Sequence, residues 1–252
     1  MKLLRLLLVP VLALAADAAT SAESGCYPLQ EANTDVGSLA SLQRGARNFV
    51  NYCLGCHSAK YMRYSQVAED LALTEDELRE NLMFTGTRIY DAMESAMPAE
   101  KAGTWFGNVP PDLSLITRSR GVDYVYTFLK SFYGDPSRLS GANNAVLPQT
   151  AMPNVLEVLQ GPQQPRFENR VDDEGKETQC LVALDPGGLG RPGELPAAAF
   201  DSFVRDTVAF LEYVAEPAKA QRKALGIWVT LFLLMFAAFS YFLYKEYWKD
   251  VK

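Results

Sequence analysis

Histidine is nearly absent from this chain: His57 stands alone among 252 residues. Any centre that takes two imidazoles from one polypeptide is therefore excluded. Sulfur donors are scarce as well. Of the four cysteines, Cys26 and Cys180 are isolated and lack metal-ligand spacing, which weighs against a four-ligand zinc site or an iron–sulfur cluster. The alternating strands and helices in which a thioredoxin-like dithiol sits are missing too. No segment repeats at intervals of about 20 to 50 residues, so the chain reads as a single unit rather than an array. Positive charge is in deficit, with 24 Lys and Arg against 30 Asp and Glu for a net charge of -6, which argues against nucleic acid as a partner.

Cys53-Leu54-Gly55-Cys56-His57 carries the most information. Two thiols three residues apart, followed directly by histidine, are the requirement for covalent c-type haem attachment. The thiols bond the two vinyl groups of a porphyrin, and the histidine supplies the proximal imidazole. A dithiol redox pair and half a zinc site are the competing readings of the CxxC pair. One motif means one haem c. With no second histidine, the opposite ligand falls to methionine, a soft thioether suited to iron. Met1 belongs to the leader described below and Met235 to an apolar run, leaving Met62, Met83, Met93, Met97 and Met152. Most methionines are core filler. Met62 is too near the attachment motif to pass round the ring, and Met83 falls on an expected amphipathic helix. Met97-Pro98 and Met152-Pro153 both stand in loop-like surroundings where a side chain can be aimed; Met152 leaves the chain more room, and both stay open on this reasoning.

Both ends carry membrane-related signals. Met1 to Ala18 places Lys2 and Arg5 before an uncharged stretch from Leu6 to Ala16 and ends in small residues, the layout of a cleaved secretory leader, with a retained anchor as the alternative. Its removal takes away Lys2, Arg5 and Asp17 and leaves a charge of -7. Ala224 to Tyr244 is free of charge and long enough for ~30 Å of hydrocarbon as a helix, with Trp228, Tyr241, Tyr244, Tyr247 and Trp248 toward its ends. Flanking lysines barely discriminate orientation, so the leader decides it. The expected division is a leader at 1–18, a periplasmic haem c domain at 19–220, a transmembrane anchor in lipid at 221–245 and a cytoplasmic tail at 246–252, in a bacterial inner membrane. Acidic residues gather at Glu69, Asp70, Glu75, Asp76, Glu77 and Glu80, and again at Asp172, Asp173, Glu174 and Glu177. Such runs are commonly solvated faces; the sharper reading is a docking field for a basic soluble carrier.

Between the ends the pattern is helical. Leu39, Leu42, Ala46, Phe49, Val50 and Cys53 recur at helical spacing behind Ser38 or Ser41 as cap, and Phe200, Phe203, Val204, Val208, Leu211, Val214 and Ala215 form a second stripe that ends before Pro217. Gly45, without a side chain, lets the two approach closely. Thr74-Glu75-Asp76-Glu77 is a capping box for a helix holding Leu78 and Leu82, and Val122 to Phe132 is a further helix candidate. Gln160–Pro165 and Asp185–Pro196 read as loops, and no convincing strand series appears. The expected fold is mainly α, with long connections and a cofactor in place of part of the core, plus one C-terminal transmembrane helix.

CLGCH followed by SAKYMRY, then NVPPDLS at Asn108–Ser114, TRSRGVDYVYTFL at Thr117–Leu129, AMPNVL at Ala151–Leu156 and AEP at Ala215–Pro217 before a single span together resemble the cytochrome c1 family. That resemblance covers nearly the whole chain beyond the leader. It implies a cytochrome c-like haem domain, and an electron carrier that is no enzyme by itself but belongs to the cytochrome bc1 complex, quinol:cytochrome c reductase. The implied partners are the cytochrome b subunit, the Rieske iron–sulfur subunit as donor and a soluble or membrane-attached cytochrome c as acceptor. It also selects Met152 as the axial methionine, Pro110 and Pro111 as the wall beside the haem, and Arg120 and Tyr124 as contacts of a propionate. The rival readings are a monohaem subunit of a terminal oxidase or another membrane dehydrogenase, a haem enzyme or gas sensor with an open distal site, and an assembly protein with a dithiol. Export makes a Cys26–Cys180 disulfide chemically possible, and the pairing stays open.

Overall fold

Two crossing helices, α1 (Leu39–Tyr52) and α8 (Ala197–Ala215), organise the core in a computed structural model that describes residues 26–171, 177–186 and 191–250. The expected leader, and Asp172, Asp173 and Glu174 of the second acidic group, lie outside the described residues. Helix α1 starts at Ser38, whose hydroxyl accepts the Ser41 N–H at 3.4 Å, and buries Leu42, Ala46, Phe49 and Val50. The crossing is tight because Gly45 has no side chain: a Cβ there would sit 2.1 Å from the Asp206 carbonyl oxygen and 2.7 Å from the Phe210 Cβ. Phe49 packs on Phe210 with ring centroids 5.6 Å apart. Polar bonds fix the register of the crossing. Asp206 accepts the Ser41 hydroxyl at 2.6 Å and Arg44 Nε at 2.5 Å, while Asn48 Nδ2 donates to the Phe203 carbonyl and to Thr207 Oγ1, each at 3.1 Å.

Shorter elements wrap this pair: β1 (Ala59–Arg63), α2 (Tyr64–Asp70), α3 (Glu75–Asn81), β2 (Ala92–Met93), α4 (Ala99–Phe106), α5 (Ile116–Arg120), α6 (Val122–Lys130), β3 (Phe132–Gly134), β4 (Ala142–Asn144) and α7 (Glu157–Gln160). β1 pairs with β2 and β3 with β4, both antiparallel. Thr74 and Glu77 form the expected reciprocal capping box at the start of α3. The helix is shorter than expected, since Leu82 is its C-cap and Met83 lies beyond it, the Met83 N–H turning back to the Leu78 carbonyl at 3.1 Å. Val122–Phe132 is likewise not one helix. Ser131 ends α6, because its carbonyl takes the Ala145 N–H and its hydroxyl reaches Asn144 Oδ1, and Phe132 opens β3.

The larger correction concerns the expected lack of strands between and within the two loop-like stretches, Gln160–Pro165 and Asp185–Pro196. Residues from Gln163 to Pro186 form an antiparallel hairpin, β5 (Gln163–Val171) with β6 (Glu177–Pro186), whose register shifts between Arg166 and Phe167. Arg166 to Arg170 are all exposed, so side chains on both faces meet water and the two-residue alternation that marks a half-buried strand is lost. The base of the hairpin is anchored where Gln163 Nε2 donates to the carbonyls of Lys130 (2.8 Å) and Phe132 (2.7 Å). Cys180 on β6 is disulfide-bonded to Cys26.

Beyond α8, Glu216–Pro217–Ala218 leads into α9 (Lys219–Tyr247), a 29-residue helix with no buried residue. Among the described residues it is the one helix long and apolar enough to cross a membrane. Ion pairs bridge the bend: Lys219 with Glu212, and Arg222 Nε with Glu216 at 2.6 Å. Three of the grouped acids have partners within the fold, Glu75 among them through the Arg79 guanidinium at 2.6 Å. Asp70 accepts the Tyr213 hydroxyl at 2.6 Å, and Glu77 closes the capping box, while Glu75 and Asp76 occupy the positive end of α3.

Candidate functional site

Helix α1 runs straight into the attachment motif. Cys53 is its C-cap, with its N–H on the Phe49 carbonyl at 2.8 Å, and the chain then coils tightly so that the N–H groups of Cys56 and His57 both return to the Cys53 carbonyl at 3.0 and 2.8 Å. Both sulfurs and the imidazole are thereby turned to one side, onto a cavity of about 540 Å³. Cys53, Cys56, His57, Pro110, Pro111, Arg120, Tyr124 and Met152 all line that cavity. Met97 is not among its lining residues. Met62 and Met93 are enclosed in the core, and Met83 packs against it.

His57 shows a donor-ready tautomer. Its Nδ1 lies 2.8 Å from the Pro111 carbonyl oxygen, which can only accept, so Nδ1 carries the proton and Nε2 keeps its lone pair. Burial pulls its pKa below the ordinary histidine value, opposed by the Pro111 bond and by Asp112, and the neutral imidazole needed for metal ligation is favoured. Pro111 is itself held in place. Asp112 accepts the N–H of Lys60 at 3.0 Å and of Ser114 at 2.9 Å, the Leu113 N–H bonds the Ser58 carbonyl at 2.8 Å, and Ser114 Oγ accepts the Tyr61 N–H at 3.1 Å. The loop carrying the two prolines is thus laced to the segment that follows the motif. Burial pushes the Cys53 thiol up to about 12, with Cys56 adding to it, and burial also raises Cys56. Un-ionised thiols of this kind are poor dithiol nucleophiles, contrary to a reactive redox pair.

The opposite wall comes from α6 and from the loop after β4. Gly121, at φ 92°, makes the sharp turn that lets α5 end at Arg120 and α6 begin at once. The Arg120 guanidinium lies 5.7 Å from the centroid of the Tyr124 ring, which stacks on Phe128 at 6.4 Å. A cation and a phenol at the rim of an apolar cavity suit a carboxylate-bearing planar ligand. Leu147, Thr150 and Met152 reach the cavity from the loop, and Leu211 reaches it from α8. Two thiols, a neutral imidazole, a thioether on the far loop, apolar walls and a basic rim match what a haem c requires of its site. Sequence reasoning missed the residues behind this front: Asp112, Asn143 and Asn144. Their signal was only the turn-forming type of Asx side chains near Pro111 and Pro148.

Comparison with known proteins gives concordant results. A model described as the Cytochrome C1 family matches residues 35–160 and 195–251, leaving out the stretch that holds the β5–β6 hairpin. The chain is 45% identical to a cytochrome c1 of Allochromatium vinosum over 249 residues, covering 98% of this chain and all of that protein. It is 40% identical over 255 residues, the full length of both, to a Nitrosomonas europaea protein named ammonia monooxygenase gamma subunit. A cytochrome c1 of Rhodospirillum rubrum is 28% identical, with 84% of this chain and 82% of that protein covered.

Proposed function

Since the chain belongs to the cytochrome c1 family, we propose that its single haem c is bonded through Cys53 and Cys56, has His57 and Met152 as iron ligands, and relays electrons between a Rieske iron–sulfur subunit and a cytochrome c. It is a c1-type monohaem electron-transfer subunit, a carrier rather than an enzyme by itself. Haem supplies a one-electron change at iron when bound. The observation that carries the residue assignment is the convergence of all eight residues on one cavity, with the His57 Nε2 lone pair left available by the Pro111 bond. Pro110 and Pro111 offer a rigid apolar wall, and Arg120 with Tyr124 offers charge and a hydroxyl to propionates. Two fixed ligands leave no open position for a substrate, which favours outer-sphere relay over oxygen chemistry.

The long apolar helix and the family fit a single-pass membrane protein. On this reading residues 19–220 form the periplasmic haem domain, 221–245 the anchor and 246–252 a cytoplasmic tail. The chain would work beside a cytochrome b subunit that oxidises quinol, as the name cytochrome b/c1 of a Bradyrhizobium diazoefficiens relative suggests.

Met152→Ala is expected to lower the reduction potential and to let the reduced protein bind carbon monoxide, whereas Met97→Ala leaves both unchanged. A Met152→Ala protein with the parent's potential and no carbon monoxide binding would remove Met152 as ligand. Purification of the native membrane complex tests the assembly. Cytochrome b and iron–sulfur subunits should accompany the chain; terminal oxidase subunits, or the monooxygenase subunits that the name of the Nitrosomonas relative evokes, would overturn it.

A further inference from the structure

A methionine ligand on a loop needs its backbone held, because the thioether side chain is unbranched and turns freely. Residues 145–152 carry no helix or strand, yet they form the far wall of the cavity and end at Met152. We propose that Asn144, with Asn143 beside it, is a positioning residue that keeps this loop closed and so keeps Met152 on the iron; the inference rests on the assignment of Met152 as ligand.

Asn144 is fully buried and its carboxamide joins both sides of the wall. Its Oδ1 accepts the N–H groups of Val146 at 2.9 Å and Leu147 at 3.1 Å together with the Ser131 hydroxyl at 3.2 Å. Its Nδ2 donates to the Phe128 carbonyl at 2.8 Å. Phe128 on α6 and Leu147 on the loop both line the cavity, so one buried side chain sets the distance between the two faces. Asn143 continues the brace. Its Oδ1 accepts the Gln149 N–H at 2.8 Å, at a residue held at φ 65°, while its Nδ2 donates to Asp135 at 2.9 Å. From Leu147 the bonding runs on to the ligand: the Thr150 N–H reaches the Leu147 carbonyl at 3.2 Å, and Thr150 Oγ1 accepts the Met152 N–H at 3.4 Å. Such a network suits positioning, since a buried amide left unpaired is costly and the closed loop is the arrangement that pairs it.

The test uses the full-length holoprotein, with Asn144→Ala and Asn143→Ala compared with Met152→Ala. A structural control is Gln163→Leu, which deletes two bonds at the same junction, to the carbonyls of Lys130 and Phe132, neither of which lies in the loop. Asn144→Ala should keep covalent haem on a denaturing gel, weaken the thioether-to-iron charge-transfer band, and raise the apparent carbon monoxide affinity by about tenfold, the population change expected when the two bonds that enter the loop, from Val146 and Leu147, are lost. Asn143→Ala should move the same readouts in the same direction by less, and it decides the matter if the Asn144 variant does not accumulate. Gln163→Leu should lower stability and leave the spectrum alone. If Met152→Ala does not open the iron, the ligand assignment fails. If it does while both asparagine variants bind carbon monoxide like the parent, or if Gln163→Leu opens the iron equally, the positioning role is overturned.

Discussion

A neutral imidazole whose Nδ1 proton is committed to a backbone carbonyl has only Nε2 with which to bind a metal. That is the condition of His57, and it is produced by Pro111, which is fixed through Asp112. A comparable single-group brace holds the turn before β2. Asp91 accepts the N–H groups of Arg88 at 2.9 Å and Thr87 at 3.1 Å and pairs with Arg88 Nε at 3.1 Å, and these bonds, the Arg88 N–H foremost, hold its carboxyl at about 2, below the ordinary 3.8. Because the folded-state value is depressed, the stabilisation is complete above the ordinary value and is lost as pH falls from 3.8 toward about 2. Thermal unfolding followed across that interval should therefore show a shallower decline for Asp91→Asn than for the parent. Equal slopes would show that the carboxylate form of Asp91 contributes nothing to the folded state.

Two opposing effects meet at Gly45, in the crossing of α1 and α8. Helix propensity alone predicts that Gly45→Ala stabilises by up to about 1 kcal/mol. The added Cβ would stand 2.1 Å from a backbone carbonyl oxygen that cannot turn aside, so overpacking should win and cost about 3 kcal/mol, read from the denaturant midpoint. The consequence reaches the site, because α1 ends in Cys53 and α8 supplies Leu211 to the cavity. The two stripes and Gly45 were legible in the sequence, since each helix has one buried face and a strong period. The β5–β6 hairpin was not, because β5 is exposed on both faces from Arg166 to Arg170 and the hairpin carries Pro165 and Pro186.

The molecule as a whole is closed by its first described residues. From Cys26 the chain crosses α6 and α8: the Gln30 N–H bonds Thr127 Oγ1 at 2.8 Å, the Ala32 N–H bonds Asp123 at 2.8 Å, Arg205 Nε donates to the Ala32 carbonyl at 3.0 Å, and Thr34 donates to Glu212. The disulfide to Cys180 then ties this strap to the hairpin across 154 residues of sequence. Neither cysteine lines the cavity. Replacing both with serine should lower unfolding stability by about 2–5 kcal/mol, the range expected of a long closed loop, while the haem spectrum stays as in the parent. A changed spectrum would mean that the strap shapes the cavity directly. At the other end, Lys219 and Arg222 pair back to Glu212 and Glu216, so the apolar helix leaves the domain in a defined direction.

Local chemistry was readable without coordinates. Covalent attachment needs only the spacing of Cys53, Cys56 and His57; a membrane-length helix needs only an unbroken apolar run; and a lone histidine excludes a second imidazole wherever the chain goes. These are properties of neighbours in sequence, enforced by covalent geometry and by the cost of burying charge. Choosing between Met97 and Met152 on residue logic alone was beyond the sequence, and so was the pairing of Cys26 with Cys180. Both depend on which distant segments meet. The tertiary structure puts Met152 on the cavity wall and leaves Met97 off it, closes the disulfide, and buries Asn144 where α6 faces the loop, because only packing around one core decides which side chains lose water together.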